Sequence, residues 1–276
     1  MSTWFITGCS TGLGRALAEA VLERGDNAVI TARDAGRLTD LAKAHSGTAL
    51  ALTLDVTDDK QVGIAVRQAE STFGGIDVLV NNAGYGYRAA VEEGDPADVQ
   101  RLFATNFFGP VELIRAALPG MRARRSGAIV NISSIGAMRR PPGSGYYAAS
   151  KAALEAMSGS LRTEVEPLDI KVITVEPGSF RTDFSGRSLT QSATAIDDYA
   201  ATAGLRRKEN DTTHGTQPGD PARAAQALIK AVAAPQPPSL LLLGADALRT
   251  ATAVLDAERA EVEKWRELTT STGFDG

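Results

Sequence analysis

The sequence has one cysteine, Cys9, in 276 residues. No intrachain disulfide can form, and a reducing, cytoplasmic setting is expected. It has two histidines, His45 and His214, each isolated from other ligand-type residues. Both read as surface residues, and no metal is expected. A serine-hydrolase reading fails too, because the chain lacks a Gly-x-Ser-x-Gly elbow and a matching histidine. A large excess of one sign of charge is missing: the net charge is −4, which gives no sign of a nucleic-acid surface. The basic clusters are short: Arg122, Arg124 and Arg125; Arg139 and Arg140; Arg206 to Lys208. They read as solvated faces. Long apolar runs are missing as well. Leu240 to Leu243 is far too short to cross a bilayer. Trp4-Phe5-Ile6-Thr7 leads straight into a glycine-rich loop without a signal-like segment. A soluble chain without a membrane partner is expected, and no internal repeat is evident.

Hydrophobic residues make up 43% of the chain, enough for a sizeable core. The length suits one α/β domain spanning 1–276. Strand-length apolar runs lie at Thr3–Thr7, Asn27–Thr31, Ala49–Leu54, Asp77–Asn81, Ala128–Ser133, Lys171–Glu176 and Ser239–Leu243. Each of the first six leads into an amphipathic segment or a loop. This alternation predicts parallel pairing through right-handed crossovers. The fold class is therefore α/β: a Rossmann-type, doubly wound, mostly parallel seven-stranded sheet with helices on both faces. The first helix is expected over Gly14 to Arg24, burying Leu17, Val21 and Leu22 and stopping at Gly25. Residues 179–219 break the rhythm with many Ser, Thr, Asp and Gly, and read as a lid over a substrate. Residues 245–268 read as a helix rich in Ala and Glu. Thr269–Gly276 reads as a fraying polar tail.

The stretch Thr7-Gly8-Cys9-Ser10-Thr11-Gly12-Leu13-Gly14 follows the first strand and opens the first helix. Helix N-termini offer unpaired N–H groups and partial positive charge, suited to a pyrophosphate. Gly8 and Gly12 would allow a tight turn and a close phosphate. Gly14 would let the helix pack against the strand, and Ser10 and Thr11 can donate hydroxyl hydrogen bonds. The spacing is Gly-x3-Gly-x-Gly, and a plain strand–helix turn is the alternative reading. The end of the second strand reads Ile30-Thr31-Ala32-Arg33-Asp34. Ala32 stands where NAD-selective folds tend to carry an acid for the ribose hydroxyls. An Arg33 fork there would pair with a 2′-phosphate. Asp34 reads as the cap of the next helix. These residues favour NADP(H), with NAD(H) as the alternative.

The second signal is Tyr147-Ala148-Ala149-Ser150-Lys151. Positions four apart share a helix face, so Tyr147 and Lys151 point into one space. Tyr146 would lie about 100° further round. An ammonium near a phenol lowers the phenol pKa, and such a tyrosine can exchange a proton with an alcohol or carbonyl. Ser134 follows the fifth strand run at its carboxyl end, where ligands of parallel sheets bind. It could share a substrate oxygen with Tyr147. Ser133 competes, and the spacing from Tyr147 favours Ser134.

Thr7-Gly8-x3-Gly12-x-Gly14, Asn81-Asn82-Ala83-Gly84, Asn106, Ser134, Tyr147-x3-Lys151 and Pro177-Gly178 occur in one order. With that set the chain resembles the short-chain dehydrogenase/reductase family, in its compact branch. The resemblance implies that Tyr147 is the acid in reduction and the base in oxidation. It implies that Lys151 lowers the Tyr147 pKa and binds the nicotinamide ribose, and that Ser134 orients the substrate oxygen. Asn106 should hold a water of the proton relay. The cofactor should meet Gly8, Ser10, Thr11, Gly12, Leu13, Gly14 and Arg33. Asp55 and Val56 should line the adenine pocket, with Asn82, Ala83 and Gly84 along the cofactor. Pro177, Gly178 and Thr182 should meet its nicotinamide end. The implied reaction is NADP(H)-dependent interconversion of a small-molecule carbonyl and its alcohol. A homodimer or homotetramer is implied, through helices near 96–118 and 145–166. Tyr85, Tyr87, Met138, Phe180, Phe184 and Tyr199 could supply apolar substrate contacts, and core packing is the alternative for each. A cofactor-sensing protein on the same fold, or an enzyme acting on a nucleotide-sugar, are the competing functions.

Overall fold

Among the described residues nine strands form: β1 (Thr3–Ile6), β2 (Asn27–Ala32), β3 (Ala49–Thr53), β4 (Val78–Asn81), β5 (Gly86–Arg88), β6 (Gly127–Ile132), β7 (Ile170–Pro177), β8 (Leu189–Gln191) and β9 (Leu240–Leu243). All seven expected strands are present, with ends shifted by a residue. They make one parallel sheet in the order β3-β2-β1-β4-β6-β7-β9. β5 and β8 make a separate parallel pair. The computed structural model describes residues 1–186, 188–213 and 215–274. His214, and Asp275 and Gly276 of the polar tail, lie outside the described residues.

The central sheet is buried on both faces, which is why its strands read as continuous apolar runs. Side chains still alternate along each strand. Trp4 and Ile6 of β1 join one core with Leu17, Val21, Leu228 and Ile229. Phe5, between them, joins the other with Val66, Leu113, Ile129 and Leu161. Among the described residues the helices are α1 (Gly12–Glu23), α2 (Thr39–Ala44), α3 (Asp59–Phe73), α4 (Pro96–Phe103), α5 (Gly109–Arg124), α6 (Ile135–Arg139), α7 (Gly145–Val165), α8 (Ala203–Thr213), α9 (Pro221–Val232), α10 (Ala245–Lys264) and α11 (Arg266–Thr270). The first core takes its helical residues from α1, α2 and α9, the second from α3, α5 and α7. Helix starts follow local chemistry. Asp58, Asp95 and Asp220 each accept two backbone N–H bonds at an N-terminus, and Pro96 and Pro221 sit in the first turn. α1 begins at Gly12, two residues before the expected start, and ends before Gly25 at φ +81°.

The strand order reverses between β1 and β4, and ligands of such sheets bind in the crevice at that switch point. The loops after β1 and β4 lie together there. Residues 179–219 contain β8, α8 and short 3₁₀ turns rather than plain loop. The C-terminal helix is broken at Trp265, which leaves helical angles at φ −103° and ψ 10°. Helix resumes through Thr270, inside the expected tail. Among the described residues no helix is long and apolar enough to cross a membrane.

Candidate active site

The loop after β1 is held by the loop after β4. The Thr7 hydroxyl accepts from the backbone N–H groups of Asn82 and Ala83, both at 2.9 Å. Asn82 Nδ2 donates back to the Thr7 and Gly8 carbonyls at 2.8 and 3.2 Å. A Cβ on Gly14 would overlap Asn82 Nδ2 and lie 2.5 Å from the Gly8 oxygen. Gly14 thus lets α1 approach the β4 loop. Gly8 and Gly12 adopt φ +73° and +66°, a region that favours glycine. Leu13 packs against the core. The residue capping α1, Thr11, makes no side-chain cap bond, and the first turn carries no acid. The first-turn N–H groups and their partial positive charge suit an anionic group such as a pyrophosphate. Ser10 and Thr11 border that end. Cys9 is fully buried and its thiol is pushed up to about 12 by burial, so it is an inert core residue.

Arg33 stands exposed immediately after β2, beyond buried Ala32. Asp34 accepts from the Gly36 N–H at 2.9 Å and caps the turn Ala35–Leu38. Leu54 bonds back to the Ala32 carbonyl at 2.9 Å, which sets Asp55 beside Arg33 at the same sheet edge. Val56 is buried against Gly109. Thr182 lies over the glycine loop, its Cβ 3.4 Å from where a Gly12 Cβ would stand. Pro177 ends β7. A Cβ on Gly178 would overlap the Asp246 carboxylate, so α10 occupies that approach.

α7 carries Tyr147 and Lys151 on one buried face. Tyr146, one residue earlier, turns away and donates to the Val91 carbonyl at 2.6 Å. The two serines also separate. Ser133 donates to Glu155. Ser134 caps α6, accepting from the Gly136 N–H at 3.0 Å, and stands beside Tyr147: a Cβ on Gly136 would lie 3.1 Å from the Ser134 Oγ and 3.4 Å from the Tyr147 ring. Lys151 Nζ donates to the Ile132 carbonyl at 2.8 Å. Gly84, Asn106 and Lys151 converge: a Cβ on Gly84 would lie 3.0 Å from Asn106 Oδ1 and 3.2 Å from Lys151 Nζ. Asn106 sits, fully buried, in a π-helical turn at Ala104–Phe108. Its carboxamide bridges both backbone groups of Tyr85 and the Ser150 hydroxyl, at 3.0 to 3.1 Å.

Burial pushes the Tyr147 phenol up, and the opposing influences are Ser134 and the charge of Arg88. Lys151 itself is pushed down to about 8 by burial, with Glu155 acting the other way. Burial thus disfavours the charged form of both groups. The reading of Arg206 to Lys208 as a solvated face is corrected. Arg207 is largely buried and pairs with buried Glu93 at 2.7 Å.

Among the aromatic candidates, Phe184 packs on Tyr147 with ring centroids 5.8 Å apart. Tyr87 belongs to a small core, with Tyr85 against it, and Phe180 packs on the sheet core. Tyr199 is tied to Glu92 at 2.7 Å, and Met138 is half-buried on α6. Sequence reasoning missed Glu155, Glu176 and Arg88. Glu155 lies four residues beyond Lys151, a spacing that could have revealed it. Glu176 and Arg88 carry no motif. Glu176 is pushed up to about 7 by burial and then by Glu155. Among the described residues no three His, Cys, Asp or Glu side chains converge on a metal-binding geometry.

A doubly wound sheet with a serine beside a buried tyrosine and a buried helical lysine at its carboxyl edge defines an oxidoreductase of the dinucleotide-fold class. The comparisons with known proteins make this specific. A family model, described as short chain dehydrogenase, matches residues 2–193. "Oxidoreductase BOA17" of Botryotinia fuckeliana is 40% identical over 96% of this chain and 97% of its own. "3-ketodihydrosphingosine reductase" of Bacteroides thetaiotaomicron is 38% identical over 84% of each. The crystal structure of a short-chain dehydrogenase from Streptomyces avermitilis superposes with a TM-score of 0.93 at 41% identity, covering 99% of this chain and 98% of that one. The chain belongs to the short-chain dehydrogenase family.

Proposed function

We propose that this protein interconverts a ketone or aldehyde and its alcohol using NADP(H), with Tyr147 as the proton donor and acceptor. The observation that carries this is buried Tyr147 standing beside Ser134, with Lys151 on the same helix face. The uncapped start of α1 would hold the pyrophosphate, Arg33 the 2′-phosphate, and Lys151 with Asn82 to Gly84 the nicotinamide half. A bound nicotinamide supplies or accepts the hydride. The chain supplies position and the proton. Ser134 and Tyr147 would grip the substrate oxygen, fixing the carbonyl for transfer. Burial keeps Tyr147 protonated across the neutral range, which suits donation to a nascent alkoxide. Alcohol oxidation needs the deprotonated phenol and should rise toward alkaline pH. Asn106, its carboxamide already committed, holds the Tyr85 loop and Ser150 around any water of the relay. The related ketone reductase of Bacteroides thetaiotaomicron agrees with carbonyl chemistry.

NADPH oxidation against a pooled panel of ketones and aldehydes tests the reading. Tyr147→Phe should lower turnover by about 10²-fold or more with NADPH binding retained. Equal turnover in both proteins would refute the proton assignment. Arg33→Ala should lower the NADPH/NADH affinity ratio by roughly tenfold, the loss of a charge-assisted pair. An unchanged ratio would remove the basis for NADP(H) preference.

A further inference from the structure

Arg88 ends β5 and takes no part in the chemistry above. Strand alternation fixes its direction. Tyr87 and Ala89 turn into the small core with Leu102. Gly86 and Arg88 therefore face the other way. On that side a Cβ at Gly86 would lie 3.3 Å from the Phe184 ring, and that ring packs on Tyr147. Arg88 thus faces the space shared by Phe184 and Tyr147. Its charge is felt at the Tyr147 phenol.

Among the described residues Arg88 has no counter-charge. The side chain is 7% exposed. Nη1 donates to the hydroxyl of buried Ser144. Nε is buried without a hydrogen-bond partner. Among the described residues no carboxylate pairs with Arg88, whereas Arg207 has Glu93. A further cation, Arg206 on α8, stands within electrostatic reach. Burial, then the charges of Arg88 and Arg139, push Arg206 down to about 10. A guanidinium cannot shed its proton to escape this, and a buried charge without a partner is costly. A ligand that brings the missing negative charge removes the cost. A planar carboxylate matches the guanidinium fork.

We propose that Arg88 and Ser144 form an anion-binding pocket beside Tyr147, and that the substrate is an oxo acid whose carboxylate docks there while its ketone faces Tyr147. The substrate part of this rests on the carbonyl chemistry proposed above. Matched pairs test it: aliphatic oxo acids, from 2-oxo to 5-oxo, and their methyl esters. Wild type should prefer the acid of at least one pair by roughly tenfold or more in kcat/KM. In Arg88→Gln that acid/ester ratio should fall to about one through KM rather than kcat, and Arg88→Lys should restore part of it. A ratio taken within one preparation does not depend on the folded fraction. Equal use of acid and ester by wild type would overturn the proposal. So would an equal loss for both in Arg88→Gln, which would make Arg88 a positioning residue for Tyr147. A second arm needs no turnover: calorimetric binding of hexanoate against methyl hexanoate. Hexanoate binding to wild type that disappears in Arg88→Gln supports the pocket even if no ketone is reduced, a result that would count against the carbonyl reading alone. No selective hexanoate binding, or binding unchanged in Arg88→Gln, overturns the pocket.

Discussion

At the scale of single residues, neighbours of the same type take different roles. Ser133 and Ser134 are adjacent, yet one bonds Glu155 and the other caps α6 beside Tyr147. Tyr146 and Tyr147 divide in the same way, one to the Val91 carbonyl and one to the site. The helix spacing of Tyr147 and Lys151 was legible because i and i+4 share a face. Their electrostatics were not, because burial depends on everything packed above them. Glu176 belongs to this scale. It is 2% exposed, its Oε2 has no partner, and its carboxyl is pushed up to about 7. A raised folded-state pKa means stability that is complete below the ordinary carboxylate pKa and lost as pH rises toward 7. Glu176→Gln removes that loss. Its unfolding free energy should match wild type near pH 4.5 and exceed it above pH 7, by about 1–2 kcal/mol after discounting for solvent screening, with a melting temperature that rises in step. Thermal scans across that range check it, and a difference that does not grow with pH would refute the assignment.

At the scale of elements, the glycine loop shows how a motif can serve two ends. Its spacing suggested a phosphate cradle. The structure adds that Gly14 is where α1 meets Asn82. Gly14→Ala should destabilise the protein by about 1–3 kcal/mol, because the added methyl must displace a carboxamide that bonds two carbonyls. It should also weaken NADPH binding by moving the start of α1. Urea denaturation and a cofactor titration measure both. Unchanged stability would show that Asn82 yields freely. The π-turn at Asn106 was illegible, since Thr105-Asn106-Phe107 carries no helix breaker. Within that turn the Asn106 carboxamide bonds Tyr85 and Ser150, which lie outside it in the sequence.

At the scale of the whole molecule, residues 179–219 are joined to the body through Glu93. Burial pushes the Glu93 carboxyl up. Arg207, Ile196 N–H and Ala90 N–H outweigh that and hold it down to about 2. A lowered pKa means that the join is at full strength above the ordinary carboxylate pKa, near 4.5, and is lost as pH falls toward 2. Arg207→Met leaves the carboxylate buried with its two N–H donors but without its cation, at a cost of about 3 kcal/mol. Limited proteolysis should then cut within 192–207 while amide exchange in β1, β4 and β6 stays slow. Resistance equal to wild type would show that β8 and α8 are held by other contacts. If the segment acts as the lid expected from its composition, the same variant should raise the KM for substrate.

The sequence by itself determined the parallel sheet, the turn at Gly25, the Asp34 cap and the positions of Tyr147 and Lys151 on one helix face. These follow from local rules: period-two and period-3.6 burial, capping, and the conformational freedom of glycine. Tertiary structure alone decided the raised pKa of Tyr147, the burial of Arg207 within a run that read as solvated, and the placing of Arg88 beside the site. Desolvation and charge coupling depend on which distant segments close over a residue. In this chain those segments are β5, β8 and α8, drawn from parts of the sequence roughly a hundred residues apart.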